Sequence, residues 1–293
     1  MRKMVFMPNV VPLGEQIGDD RGGSPGVHAA LSVLEALVRR GPLGLTELGA
    51  EVGVAKSSLH RICAVLVQRG WALRNRDGRF ELGIRAIGIG SSAAELPLVI
   101  AFRATAATLL TEFNETVCLS AVDGDDSVFV AMEETSHAVR LVTHVGSRTP
   151  AFASASGRVI LADRADEIVS AQFGGRSLET PTGRRLLGVA ELLRILDDVR
   201  TTGYALNEDE TAEGLHTISA PIRNGRGRVI AALTICVPSS RLPLSRRDEM
   251  IRALAESSST LSDRVAWLPA WNATRADQSY AESQSPEMME VAR

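Results

Sequence analysis

Between Thr46 and Gly70 the chain reads TELGAEVGVAKSSLHRICAVLVQRG, and WALRNRDGRFELG follows directly. Thr46, Lys56, Ser57, Ser58, His60 and Arg61 put hydroxyls, an imidazole and two cations within sixteen residues, and Arg74, Arg76 and Arg79 add three guanidinium groups just beyond. That combination suits an anionic polymer. Lys and Arg displace counterions from phosphates, while Ser, His and Arg reach the donors and acceptors on base edges. Such groups work only on an element that can enter a groove. Leu59, Ile62, Cys63 and Leu66 follow the i, i+3, i+4, i+7 pattern, which predicts a helix from about Lys56 to Arg69 that buries this stripe. Ser57, Arg61 and Gln68 then point outward, with Ser58 and His60 on the flanks. Thr46 predicts the N-cap of a shorter helix reaching Val52, and Gly53 permits the turn between the two. WALRNRDGRFEL predicts two short strands joined at Asp77-Gly78. Upstream, VHAALSVLEALVRR places Val27, Ala30, Leu31, Leu34, Leu37 and Val38 on one helical stripe that Gly41-Pro42 ends.

The charge distribution points the same way. Residues 27–90 hold nine Lys/Arg against five acids, a surplus of four. The first 26 residues are balanced at three of each, so with a net charge of −3 for the whole chain the residues past 90 carry −7. A basic segment joined to an acidic one implies an anionic partner for the basic part. A helical subdomain with a solvated polar face would explain the helix charges by themselves. It leaves the turn glycine and the arginine hairpin without a role.

At 293 residues and 45% apolar content the chain fits about two globular domains. No apolar run reaches the ~18 residues of a membrane span, and prolines, glycines and acids interrupt the N-terminus, unlike a signal peptide. A cytoplasmic protein without membrane contact is expected. Cys63, Cys118 and Cys236 are far apart in sequence, each within an apolar run, which predicts buried, reduced thiols. His28, His60, His137, His144 and His216 show no metal-ligand spacing, and no cofactor is expected. The nucleophile-elbow, zinc-protease and phosphate-loop signatures are missing, which leaves an enzyme little support. A ligand-binding module working only through protein partners would leave Arg61 and the hairpin unexplained. His144, beside the GSRTP loop, is the one histidine that could meet a ligand.

Residues 1–26 are expected to be a flexible extension, 27–83 a winged helix-turn-helix, 84–97 a linker helix weakened by glycines, 98–266 a second domain, and 267–293 a disordered tail rich in Ser, Glu, Gln and Ala. In the second domain, helices are expected at 98–114, from SASGRVILADR, over GVAELLRILDDVRTTG, and from about Ser245 to Ala266. ETVCLSAVDGDDSVFVAMEE predicts two strands, VRLVTHV a third, and HTISAPIRNGRGRVIAALTICVP two more around Asn224-Gly225-Arg226-Gly227. FGGRS at 173–177 is expected to be a turn. The order implies an antiparallel sheet flanked by helices, an α+β sensor-like domain. Ala155, Ser156 and Gly157 open a helix whose N–H groups could face a carboxylate. Thr234 and Cys236 alternate with Leu233 and Ile235, so they share one strand face.

The stretch GLTELGAEVGVAKSSLHRICAVLVQRGWALRNRDGRFELGIRAIGIG resembles the DNA-binding domain of the IclR family of bacterial transcriptional regulators. VGSRTPAFASASGRVILA and TTGYALNEDETAEGLHTISAPIRNGRGRVIAALTICVP resemble that family's effector-binding domain, in its order and spacing, so the resemblance spans about residues 27–265. It implies a winged helix-turn-helix, a linker helix that helps dimerise, and a GAF-like domain that binds a small metabolite. Double-stranded DNA and a small organic acid, carbonyl or hydroxylated aromatic are the implied partners, in a homodimer or a tetramer of two dimers. Carried over position by position, the family's effector pocket falls on Leu141, Thr149, Ala155, Ser156, Asn207, Thr217, Thr234 and Cys236. Asn207 stands where several members hold an aspartate and Thr217 where a cysteine occurs, so the usual ligand class does not transfer. Ala55 replaces a frequent proline at the start of the recognition helix.

Overall fold

The computed structural model describes residues 24–268 apart from Ala94 and Leu187. Most of the expected N-terminal extension and of the expected tail lies outside the described residues. The chain forms two compact units that meet in sequence between Leu96 and Pro97.

The first unit holds α1 (Pro25–Arg40), α2 (Leu45–Val52), α3 (Lys56–Gln68), a hairpin of β1 (Ala72–Arg74) and β2 (Phe80–Leu82), and α4 (Ile84–Ala93). Leu48, Leu59, Cys63 and Leu66 meet Val33, Ala36 and Leu37 in one core that Phe80 closes from the hairpin. The inward stripe of α3 is therefore the expected one. That of α1 differs: Ala29, Val33, Ala36 and Leu37 are buried, whereas Val27, Leu31 and Val38 stay more than half exposed. The helix is apolar around much of its circumference, and the small residues of the 29/33/36 row admit the closest approach. Thr46 is not the N-cap of α2. Gly44 holds that place, its N–H bonded to the Glu47 carboxylate at 2.6 Å, and Thr46 sits exposed in the first turn. At the foot of the hairpin Gly83 passes so close to Gly70 that a Cβ would stand 2.2 Å from its carbonyl oxygen.

The second unit is a six-stranded antiparallel sheet in the order β5-β4-β3-β10-β9-β8. Its strands are β3 (Thr116–Asp123), β4 (Asp126–Glu133), β5 (Arg148–Pro150), β8 (Ala205–Glu208), β9 (Leu215–Arg223) and β10 (Val229–Pro238). One face packs against α5 (Pro97–Phe113) and α9 (Leu244–Arg264), with Leu233, Ile235, Leu119 and Ile218 meeting Phe102, Leu109, Met250 and Leu254. The other face carries the short helix α6 (Ala155–Leu161), backed by α7 (Asp166–Phe173) and α8 (Val189–Thr202). A small hairpin of β6 (Leu178–Glu179) and β7 (Arg185–Leu186) lies beside them in sequence. Every residue of β10 is buried, as a central strand covered on both faces should be.

One local expectation fails in this unit and two of its elements were not foreseen. VRLVTHV forms no strand: Val139, Val142 and Val145 are exposed, spaced by three rather than two, and the pairing strand comes later at Arg148–Pro150. Helix α7 and strand β8 have no forecast, because ADEIVSAQF is too short and ALNE too polar to show a period. Gly174-Gly175 does end α7, with Gly175 at φ 71°.

Candidate nucleic-acid interface and ligand cavity

Helix α3 turns Lys56, Ser57, Ser58, His60 and Arg61 to solvent while Leu59, Cys63 and Leu66 anchor it. Its outward face is one that a major groove could admit. The three hairpin arginines have different surroundings. Arg79 is tied down: Nε donates to Pro42 O at 3.0 Å and Nη2 to Glu47 at 2.7 Å. That bond and the one from Gly44 hold the Glu47 carboxyl below the usual carboxylate value, the Gly44 N–H being the larger cause. Arg74 lies 5.7 Å over the Phe80 ring and donates to Gly78 O at 2.9 Å. Arg76 stands at the tip, exposed and without an ion pair among the described residues. The tip is shaped by Asn75, whose Oδ1 accepts the N–H groups of Asp77 and Arg79, and by Gly78 at φ 76°. The geometry thus gives Arg76 the freedom to meet a phosphate and makes Arg79 a brace between hairpin and α2.

In the second unit a cavity opens where the first turn of α6 stands over the sheet. Leu141, Thr149, Ala155, Ser156, Thr217, Thr234 and Cys236 all line it, seven of the eight positions implied by resemblance. Register explains the convergence. Cys236 pairs with Thr217 across β10 and β9, Thr234 lies two residues further along the same face, and Thr149 pairs with Ser127. Asn207 pairs with lining Thr217 on the same sheet face but is not itself part of the lining. It is 1% exposed, its amide donates to Ala153 O, and its Oδ1 accepts the Glu210 N–H at 3.3 Å. Asn207 therefore braces the loop after β8 against the approach to α6. His144 does not line the cavity either; its Nδ1 is 3.1 Å from Ser147 Oγ.

Six lining residues escaped the sequence: Ser127, Phe129, Ser154, Thr211, Ala212 and Leu215. Ser127 and Phe129 alternate along β4, so period two could have flagged the pair, but not which face mattered. Ser154 had a readable signal as the N-cap of α6, where its Oγ accepts the Gly157 N–H at 3.0 Å. That bond takes up the Gly157 N–H, which was expected to face a ligand. Thr211 and Ala212 belong to a loop held by Glu210. The Glu210 side chain is buried, and it accepts from Arg158 of α6 and, at 2.8 Å, from Arg184.

None of the lining side chains is charged. Hydroxyls of Ser127, Thr149, Ser156, Thr217 and Thr234 face apolar Phe129, Leu141, Ala155 and Leu215. The free space is about 30 Å3. Cys236 Sγ lies 3.9 Å from Cys118 Sγ, although 118 residues separate them. That neighbour and burial push the Cys118 thiol well above its ordinary range. Among the described residues no cluster of three or more His, Cys, Asp or Glu could hold a metal. No described helix is long and apolar enough to cross a membrane.

Residues 27–76 match the family model for the IclR helix-turn-helix domain, and residues 90–263 match that for the bacterial transcriptional regulator IclR C-terminal domain. The chain is 27% identical over 243 residues to the HTH-type transcriptional regulator KdgR of Escherichia coli, covering 82% of this chain and 92% of that protein. It is 27% identical over 224 residues to the transcriptional repressor IclR of the same organism, covering 75% and 82%. Among solved structures, an IclR transcriptional regulator from Alicyclobacillus acidocaldarius superposes with a TM-score of 0.73 at 23% identity, covering 83% of this chain and 99% of that one. An IclR homologue from Microbacterium hydrocarbonoxydans complexed with 4-hydroxybenzoate gives 0.71 at 22%, covering 83% and 100%.

Proposed function

The chain belongs to the IclR family of bacterial transcriptional regulators, and from that premise we propose that it represses a catabolic operon and releases it in response to a small organic acid, carbonyl or hydroxylated ring. It is a regulator and not an enzyme. The observation that carries the ligand half is the cavity: seven of the eight side chains that the resemblance places around an effector converge there, and none brings a charge. Hydroxyls serve a carboxylate or a ring hydroxyl, the apolar wall serves a ring or short chain, and a cation would find no countercharge.

The size of the cavity supports a mechanism. About 30 Å3 suits a water or two, a water needing at least ~10–15 Å3. A metabolite of several carbons enters only when the walls yield, so it binds a wider state better than this one. Differential affinity of that kind is what allows a ligand to shift a conformational equilibrium. The same ligand then alters DNA affinity to the extent that the two states differ in DNA binding. Exposed Val27, Leu31 and Val38 on α1, with Ile84 and Ile89 on α4, supply apolar surface for a homodimer or a tetramer of two dimers.

Mapping bound sites across the genome, followed by operator titrations in the presence of small acids, tests the proposal. Hydroxylated benzoates come first, given the ligand of the Microbacterium homologue. Bound sites beside catabolic genes, with release by an acid of that pathway, are expected. Sites without such neighbours and no release by any acid would refute it.

A further inference from the structure

At the other end of α6, a second cleft of about 250 Å3 lies between the end of that helix, the last turn of α8 and the end of β9. Val159, Val199 and Pro221 give it an apolar wall, and Asp163, Arg200 and Arg223 give it charge. Its hydrogen-bond balance is one-sided. Asp163, whose side chain is only 14% exposed, already accepts three donors: Arg223 Nη1 at 3.0 Å, Arg228 Nε at 2.8 Å and the Val229 N–H at 3.2 Å. Three bordering carbonyls are taken as well, Ala162 O by Arg200 Nε at 2.9 Å, Val199 O by the Gly203 N–H at 2.9 Å, and Pro221 O by Ser258 Oγ at 2.5 Å.

Donors are what remain. Arg200 spends Nε and Nη2 on Ala162 O, Arg164 O and Asp166, while among the described residues its Nη1 has only an Asp197 oxygen at 3.9 Å. Arg223 spends Nη1 on Asp163 and Gly227 O, leaving Nε and Nη2 without a hydrogen bond among the described residues. Two guanidinium edges with unused N–H groups beside an apolar wall match an anionic head on an apolar body. The geometry points to this cleft as a second ligand site, for a small organic carboxylate, distinct from the cavity at the start of α6.

The site has a regulatory consequence, which rests on the effector role of the first cavity although the site itself does not. Helix α6 is seven residues long, about 10 Å at 1.5 Å per residue. Ser156 at its start and Val159 in its second half wall the two spaces. A carboxylate that draws Arg200 and Arg223 together bears on the same helix an effector must displace. The two ligands then change each other's affinity by one common factor.

The test uses the full chain. Photolysis with 4-azidobenzoate, followed by peptide mass mapping, should label residues 159–163, 199–203 or 221–223. Arg223→Gln, at a half-exposed position that keeps a donor without the charge, should cut that labelling and the affinity for benzoate at the cleft at least tenfold, with melting behaviour confirming the fold. Neutral 4-azidobenzamide should not label these stretches. Labels confined to the first cavity, around residues 127–129 or 154–156, would overturn the second site and leave the proposed function standing. Equal labelling by the benzamide, undiminished labelling in Arg223→Gln, or displacement of benzoate by equimolar inorganic phosphate would overturn the carboxylate assignment.

Discussion

The hydroxyls of Ser127 and Ser156 lie 2.8 Å apart, both residues buried, and tie strand β4 to the first turn of α6 at the wall of the first cavity. One hydroxyl donates to the other, and the accepting hydroxyl keeps its own hydrogen for a further partner. A ligand oxygen inserted there exchanges one hydroxyl contact for another, so the exchange costs little. Indole at position 156 would occupy the space instead. Ser156→Trp should abolish the effect of organic acids on operator affinity and leave ligand-free DNA binding within about twofold. Ser259→Trp, exposed on α9, is the control. Operator titrations of both variants with and without the releasing acid decide it, and an intact response in Ser156→Trp places the effector elsewhere.

Arg61 and Arg76 should fail in different ways. Arg61 projects from the outward face of α3, and Arg61→Ala should cost about 1–3 kcal/mol at the specific site if it reads a base. Arg76→Ala should weaken all sequences alike and lower the salt slope by about one. Fluorescence anisotropy at several salt concentrations separates the two, and unchanged affinity in both variants would remove the interface from this face.

Glu47 should make the first unit acid-sensitive. Its pKa is held below the usual 4.5 by the Gly44 N–H and by Arg79. A carboxyl depressed in the folded state contributes stability that is present above its unfolded value and is lost as pH falls through the folded one. Melting of the wild type should therefore drop more steeply below about pH 4.5 than that of Glu47→Gln, and the two slopes should coincide above it. Parallel slopes across pH 3–6 would contradict the brace.

Gly157 cannot carry a side chain. A Cβ there would stand 2.2 Å from the Ala151 carbonyl oxygen, so α6 would have to lift away from the turn that precedes it. Gly157→Ala should destabilise the second unit by about 1–3 kcal/mol, the usual range for overpacking, and a thermal melt that matches wild type would show the approach to be looser.

Leu31, more than half exposed on α1, should lie in a subunit interface. Leu31→Glu should raise the dimer dissociation constant at least tenfold and weaken operator binding with it. Sedimentation at micromolar concentration checks this, and an unchanged association state would free that face.

Periodicity and turn chemistry determined much of this protein without coordinates. The stripe Leu59, Ile62, Cys63, Leu66 sets which face of α3 is outward, and Asp77-Gly78 sets the hairpin, because side-chain direction in a helix or a two-stranded turn follows from local geometry. Thr234 and Cys236 were legible as one face of one strand for the same reason. Local rules did not reach the rest. The two apolar rows of α1 have equal claim to the core until a packing partner chooses between them. Arg79 and Arg76 are both arginines of one hairpin, and only the approach of Glu47 and Pro42 makes the first a brace and leaves the second free. Asn207 pairs with Thr217 and so shares the cavity face, yet its amide serves Ala153 and Glu210, because the chain entering α6 and the loop after β8 both come within hydrogen-bond reach of it. The cavity, the Cys118 and Cys236 neighbours and the arginine cleft at the far end of α6 bring together residues up to 118 positions apart. Strand order and register decide such proximity, and both are fixed by the packing of the whole sheet.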